Sequence, residues 1–525
     1  MRKLFDNGYG PLILLTAILL GFSLGVFFIK FNPQYSLVSK NQKKMQDLIY
    51  VIENDYVDEV NTDSIVDKTI DAILSELDPH SKYILPELTQ IAEDDLNGEF
   101  VGIGISYLKM NDTIVIQRVL KNSPNQGKIF TGDKLLSAAQ HSLTGDSIDL
   151  APKYLKGVEN TKVKVRLIRD QDTIIQILDR KKIVNSPVRA AYMMNDTIGF
   201  INLNIFTHNS GALISDAIDD LKSQGMKMLI LDLRRNGGGF LREAKKIVDE
   251  FLPNQKVMYY VKGRKNKKEE TVATEEGDFE EGKLYILIDE ESASASELLA
   301  GAIQDHDRGT IVGRRSFGKG LVQQEMSLSD GSKVRLTTAR YYTPTGRSIQ
   351  KPFSKGESGV KRYQNESYER YHSGEMYFVD SIKINDSLKF QTPKGKVVYG
   401  GGGIIPDAFV AVDTLEIGDW YYLQQQGRSN MYDYTNHYIL ANKKQLNQWD
   451  FEDFNAKFDQ KAAYKNYLKE FKKVGRISKS SQEKIQRLLK ALIARNFYGE
   501  EAYFKIYNPF DNMVNKVLEI EKKAH

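Results

Sequence analysis

The sequence predicts a multidomain α/β protein led by one N-terminal apolar helix. Three observations predict it. At 525 residues the chain is longer than a single hydrophobic core usually serves. Residues 11–29, "PLILLTAILLGFSLGVFFI", run nineteen positions without a charge. From about 190 to 345, β-like runs alternate with helical ones, the pattern of a sheet covered by helices with its active groups at the strand ends. Changes of pattern divide the chain at 1–30, 31–96, 97–182, 183–413 and 414–525, with an insertion at 351–395.

The apolar segment is flanked by Arg2, Lys3 and Lys30. As a helix, nineteen residues reach roughly 28 Å, about the hydrocarbon thickness of a bilayer. A cleaved signal peptide would be shorter and end in small residues, whereas this segment ends in "VFFIKFNP". The expectation is an uncleaved, single-pass anchor with its basic head in the cytoplasm. The protein then sits in a bacterial inner membrane with everything after Lys30 in the periplasm.

Residues 41–77 carry apolar positions at helical spacing and stop at "DPHS", where Pro79 ends the run. Between about 98 and 180, short strands and turns ("VGIGISY", "DTIVIQRVL", "KVKVRLIRDQDTIIQIL") predict a small, mostly β domain with one helix. The α/β core follows with "TIGFINLNIF", "MKMLILDLR", "KLYILID" and "GTIVG" as strands. Residues 351–395 are polar and aperiodic and read as a surface insertion. After 414 the helical period returns without any chemistry, as expected of a packing or regulatory appendage.

Composition excludes several functions. The 73 basic residues nearly balance 69 acidic ones, and a net charge of +4 makes no polycation suited to nucleic acid. With no cysteine there is no disulfide, thiolate metal site or cysteine nucleophile. None of the seven histidines is paired at a helical metal-binding spacing. Neither a metal nor a cofactor is expected.

The chemistry concentrates at "ESASASELLAGA", residues 291–302, just after the apolar run "LYILI". A serine attacks a carbonyl once a base takes its proton and donors stand ready for the oxyanion. A helix N-terminus after a strand supplies free N–H groups. The ionisable candidate in a rigid neighbouring motif is Lys319 of "RRSFGKGLVQQE", which serves as a base only if burial lowers its pKa from about 10.4 toward neutrality. Gln323 can accept a hydrogen bond from that amine without adding charge. The glycines of "LDLRRNGGGFL" offer further backbone donors. Each feature alone has a plainer reading: serines as helix caps, the glycines as a loop or phosphate turn, the lysine as a surface charge. Their joint occurrence favours chemistry.

"LDLRRNGGG", "ESASASELLAGAIQDHDRGTIVGRRSFGKGLVQ", "LTTARYYTPTGRSIQ" and "GGGIIPD", with "DPHSKYILPE" and "GEFVGIGI" ahead of them, resemble in order and spacing the carboxyl-terminal processing (tail-specific) serine protease family, from about residue 41 to 410. The resemblance implies a ClpP/crotonase-like α/β protease core with an inserted PDZ domain at 97–182. It implies Ser294 as nucleophile, Lys319 as general base and Gln323 as its orienting partner. The oxyanion donors would be the N–H groups of Ala295 and Gly239, with Gly238 next in preference. Ser292 and Ser296 are then structural, as are His80 and His306. The PDZ carboxylate-binding stretch would be Phe100, Val101, Gly102, Ile103, Gly104 and Ile105, with the strand from Ile105 pairing with the substrate's tail. The implied partners are proteins with apolar C-terminal tails, and a homo-oligomer or an adaptor protein stays open. A catalytically silent tail-binding adaptor is the alternative, and a crotonase-like acyl-CoA enzyme a more distant one.

Overall fold

The computed structural model describes residues 10–31, 39–110, 112–120, 122–264, 267–413, 431–471 and 477–524. They fall into two units, one ending at Ile73 and one running from Leu74. The first holds three helices: α1 (Gly10–Phe31), α2 (Lys40–Asp55) and α3 (Thr62–Ser75), the last crossing the boundary. Helix α2 starts at a capping box in which Ser39 Oγ accepts from the Gln42 N–H and Gln42 Oε1 from the Ser39 N–H. The anchor expected at 11–29 falls partly outside the described side chains. A helix forms there, and among the described residues no helix is long and apolar enough to cross a membrane.

In the second unit, strand β1 (Lys82–Ile84) precedes α4 (Pro86–Asn97), whose Pro86 suits a helix's first turn and whose chain exits through Gly98 at φ 68°. The β-rich unit follows as β2 (Glu99–Gly102), β3 (Ile105–Met110), β4 (Thr113–Val119), β5 (Lys134–Ala138), β6 (His141–Ser142), the short helix α5 (Ala151–Leu155), β7 (Lys162–Arg169), β8 (Asp172–Asp179) and β9 (Lys181–Val184). Its sheet runs β3-β4-β5-β7-β8, with β6 on β5, while β2 and β9 pair as a two-stranded stem. Alternating inward residues such as Val163, Val165 and Leu167 close a core of its own. A mostly β domain with one α-helix is what the sequence led us to expect.

The α/β core begins with β10 (Val188–Met193), β11 (Ile198–Leu203), α6 (Ser210–Ser223), β12 (Met228–Asp232), α7 (Leu241–Asp249), β13 (Val257–Gly263), β14 (Glu269–Val272), β15 (Lys283–Ile288), α8 (Ala295–Asp305) and β16 (Thr310–Gly313). A hairpin, β17 (Leu321–Ser327) and β18 (Lys333–Tyr342), leads to α9 (Glu357–Gln364), α10 (Glu366–His372), β19 (Lys389–Gln391), β20 (Val397–Tyr399) and β21 (Ala408–Phe409). The main sheet has the order β10-β11-β12-β15-β16-β21, parallel except for β10. A second, antiparallel sheet joins β1, β18, β13 and β14, with β17 on β18. Because β1 pairs with β18, the stretch expected as a separate helical region, 31–96, is divided, and its last part belongs to the core.

Every residue of β11 and β12 is buried, the mark of a parallel sheet covered on both faces. Ile201, Leu231 and Ile286 point toward α6, α7 and α8. Phe200, Ile230 and Leu287, their neighbours one residue back or ahead, point the other way. That second face is covered by the C-terminal region, which comprises α11 (Met431–Leu446), α12 (Phe451–Lys457), α13 (Gln460–Leu468), α14 (Lys479–Tyr498), α15 (Glu500–Tyr507) and α16 (Asn512–Ala524). Phe504, Met513, Val514 and Val517 of this region complete the cluster. Residues 414–430, the start of the expected C-terminal segment, lie outside the described residues.

Residues 351–395, expected as a surface insertion, are mostly exposed but anchored by a few buried side chains. Lys351, Tyr363, Arg370, Glu375 and Met376 are all buried. The segment is polar because its charges pair with one another: Arg315 with Glu375, and Glu366 with Lys351 and Arg370.

Candidate active site

Ser294 closes the turn after β15 and precedes α8, with φ 55° and ψ −111°. A side chain held at positive φ costs on the order of 1–3 kcal/mol and persists only where the surroundings fix it. Here they do. Asp289 accepts from the N–H groups of Arg235, Glu291 and Ser292 at 3.0–3.1 Å, tying the serine turn to the glycine loop. Burial, ahead of the neighbouring Glu290, raises its pKa to about 6. Ser292 and Ser296 are fully buried, and their hydroxyls donate to Leu233 O and Asn236 O, both at 2.8 Å. Ser294 itself is half-buried.

The glycine loop follows β12. Asn236, fully buried, donates through Nδ2 to Leu203 O at 2.8 Å and accepts the Gly238 N–H on Oδ1 at 2.9 Å. A Cβ on Gly238, at φ 103°, would stand 2.8 Å from the Ser294 Cβ, and one on Gly239 would stand 2.2 Å from Phe206 O. Only glycine lets this loop lie against the serine. The Gly238 N–H is taken by Asn236, whereas the N–H groups of Gly239 and Ala295 meet no protein acceptor among the described residues.

Lys319 lies between β16 and β17, and its Nζ donates to Gln323 Oε1 at 3.0 Å. Gln323 Nε2 donates in turn to the backbone carbonyl of His80 at 2.7 Å, so the "DPHS" segment holds the glutamine. Burial, then the charge of Arg335, lowers the Lys319 pKa to about 8. His80 is kept neutral: burial and the nearby Lys319 push its pKa down to about 3, and its Nε2 lies 2.9 Å from Tyr363 Oη. Among the described residues no hydrogen bond joins Ser294 Oγ to Lys319 Nζ.

Sequence reasoning missed the group that links the two loops. Glu297, fully buried in the first turn of α8, accepts the Ser294 N–H at 2.9 Å and the Lys319 N–H at 2.8 Å on Oε2. Its Oε1 accepts the Gly318 N–H at 2.6 Å and the Ser316 hydroxyl. Burial raises its pKa against these four donors. Tyr341, also buried, sets its hydroxyl 2.9 Å from Ser294 O and 2.6 Å from Lys319 O. The signal for Glu297 was in the sequence: Ser294-x-x-Glu297 is the capping-box spacing. Nothing local marked Tyr341.

The stretch expected to bind a tail carboxylate, Phe100–Ile105, is partly paired and partly buried. Phe100, Val101 and Gly102 lie in β2, paired with Ile183, Lys182 and Lys181 of β9. Ile103 is 2% exposed, and its carbonyl accepts from Ser123 Oγ and Asn125 Nδ2. Gly104 sits at φ 73°, where a Cβ would strike Ser123. Ile105 opens β3, the edge strand of its sheet. No group of three or more His, Asp or Glu side chains able to hold a metal occurs among the described residues.

Residues 197–361 match the model of peptidase family S41, and residues 421–499 match a family of unknown function. A probable CtpA-like serine protease of Staphylococcus aureus (strain MRSA252) is 32% identical over 346 residues, 64% of this chain and 68% of that one. The corresponding protein of Staphylococcus haemolyticus (strain JCSC1435) is 31% identical over 371 residues, 67% and 74% of the two chains. Among solved structures, the photosystem II D1 C-terminal processing protease aligns over 62% of this chain and 97% of that one, at 24% identity and a TM-score of 0.36. On the extent of its match to these CtpA-like relatives, the chain belongs to peptidase family S41, the carboxyl-terminal processing serine proteases, and is a serine-type peptidase.

Proposed function

We propose that the protein is a membrane-anchored endopeptidase that selects exported proteins by their C-terminal tails and cuts them with a Ser294–Lys319 pair oriented by Gln323. The observation that carries this reading is the lysine's setting. Its amine is held by a neutral amide, its pKa is brought to about 8, and its backbone shares one buried carboxylate with the backbone of Ser294. In the neutral form, the amine takes the Ser294 proton as Oγ attacks the scissile carbonyl. The developing oxyanion is received by the N–H groups of Ala295, at the start of α8, and Gly239, in the glycine loop. The protonated amine then returns its proton to the leaving nitrogen, and a water activated by the same lysine hydrolyses the acyl-enzyme. In the resting arrangement Gln323 holds the amine, and hydrogen bonds of this kind tighten when substrate arrives.

Tail selection is assigned to residues 97–182, where the free edge of β3 is open to an added strand and Phe100–Ile105 lies at its head. The helix at 11–29 is assigned as the anchor, with the chain after Lys30 in the periplasm of a bacterial cell. The test uses the ectodomain, its Ser294→Ala form, and one unfolded protein bearing an apolar tail as free acid or as amide, with fragments read by mass spectrometry. The expected result is cleavage of the acid form, at least about tenfold slower cleavage of the amide from loss of a charged hydrogen-bond partner, and none by Ser294→Ala. Binding without cleavage would make the protein an adaptor, and equal cleavage of acid and amide would remove the tail from the account.

A further inference from the structure

The C-terminal helical region touches both the β-rich unit and the protease-like core. Against the β-rich unit, Asn436 of α11 accepts on Oδ1 from Gln117 Nε2 at 2.8 Å and from Asn496 Nδ2 of α14 at 3.1 Å. Gln117 lies on β4 and accepts on Oε1 from Ser106 of β3 at 2.9 Å. Lys443 donates to Thr131 O at 2.7 Å, and Leu440 packs over Gly132. The gap between Leu108, Val115 and Thr131 on one side and Ile439 and Leu440 on the other is about 10 Å³, too little for more than one water.

Against the core, α15 and α16 supply the apolar side chains that cover one face of the main sheet. Asn508 donates to Tyr192 Oη at 2.8 Å, and Tyr285 to Glu521 at 2.5 Å. Asp511 accepts from Arg234 Nη1 at 2.7 Å, beside the Arg234–Asp232 pair at the end of β12. Arg234 stands two residues before Asn236 and so roots the glycine loop on this region. β3 remains the edge strand of its sheet, although Leu108 on it faces Ile439 and Leu440.

We propose that residues 431–524, most of which match a family of unknown function, form an internal cradle that fixes the β-rich unit on the core, so that a tail is received by a stationary groove rather than by a unit that swings away. The proposal rests on the tail-selecting role given to residues 97–182. Its physical basis is that the cradle is part of the core, sealing a sheet face that would otherwise be exposed, and that its other side meets β4 without a water layer. A stationary groove also sets a constant span from the bound tail to Ser294, so cut positions should not spread.

The absence of cysteine allows a direct test. Thr131→Cys and Lys443→Cys are introduced together in the full ectodomain and joined by a short bis-maleimide, each thiol adding across one maleimide double bond, with the same variant left reduced as the control. The cradle predicts that the joined form cleaves an apolar-tailed substrate within twofold of the reduced form, at unchanged positions. Loss of tenfold or more on joining overturns it, because the unit would then have to leave the cradle to work. Gln117→Cys with Asn436→Cys repeats the test should the first pair fail to fold. If tails are not read by residues 97–182, the reduced form already cleaves acid and amide substrates alike. If only the cradle is wrong, the reduced form discriminates between them and the joined form is silent.

Discussion

The serine turn and the lysine loop converge on one carboxylate but are held in different ways. The serine turn is held mostly by near neighbours: Asp289, Ser292, Leu233 and Asn236 lie in the loops after the two neighbouring parallel strands and Ser296 in the first turn of α8, with Tyr341 of β18 added from outside. The lysine loop is assembled from distant segments. Arg370 donates to the carbonyls of Arg315 and Ser316 at 3.0 Å, the Lys351 N–H donates to Gly318 O at 2.9 Å, and Ile404 holds Ser316 through O and N. His80, from before the β-rich unit, fixes Gln323. The nucleophile therefore sits on a rigid sheet end, whereas the base depends on tertiary contacts that surround it.

Breaking the junction should have the largest effect. In Glu297→Gln, one oxygen can still accept, but the amide nitrogen meets either the Ser294 and Lys319 N–H groups or the Gly318 N–H and Ser316 hydroxyl, so in either orientation the lysine loop loses a fixed partner. We expect kcat on a peptide substrate to fall about a hundredfold, the loss of two buried charge-assisted bonds, with KM little changed. Activity within threefold of wild type would mean that Glu297 only caps α8.

The two sides can then be separated by their pH profiles. Arg370→Met removes the guanidinium that grips residues 315–317 and should lower kcat by about tenfold, in the range of one lost charged hydrogen bond. Because it disturbs the setting of Lys319, it should also move the alkaline rise of the profile. Ser292→Ala, on the other side, should reduce kcat by about threefold, in keeping with a neutral hydrogen bond, and leave the midpoint where it was. Identical profiles in the two variants would erase the distinction.

This difference also decides what could be read in the sequence. The serine turn and glycine loop were legible because their residues are consecutive and their requirements local: small residues after a strand, a helix start, glycines where Cβ atoms cannot fit. Gln323 was legible for the same reason, four residues from Lys319 on the same strand-and-loop segment. What grips the lysine was not. Arg370 and Glu375 are ordinary surface types by composition, and only their mutual pairing makes burial tolerable. The place of the C-terminal region was hidden as well, although an indirect sign existed. Strands with apolar residues on both faces need cover on both, and "TIGFINL" and "LYILI" each carry apolar residues on both faces. In the β-rich unit the fold was anticipated, but the pairing of Phe100–Gly102 with β9 depends on a strand eighty residues away.

The central claim is that Lys319, its pKa lowered by burial to about 8, is the base for Ser294. The most direct measurement is the rate at which a fluorophosphonate labels Ser294, followed by mass spectrometry across pH, since labelling needs an activated hydroxyl but no tail recognition. A depressed lysine pKa is protonated and inactive below its midpoint and active above it, so the rate should climb as pH rises through about 8. In Lys319→Met the labelling should fall to a slow, featureless background, and in Gln323→Glu the midpoint should move up, because a nearby carboxylate favours the charged amine. An unchanged profile in Lys319→Met would contradict the account and assign the proton to another group.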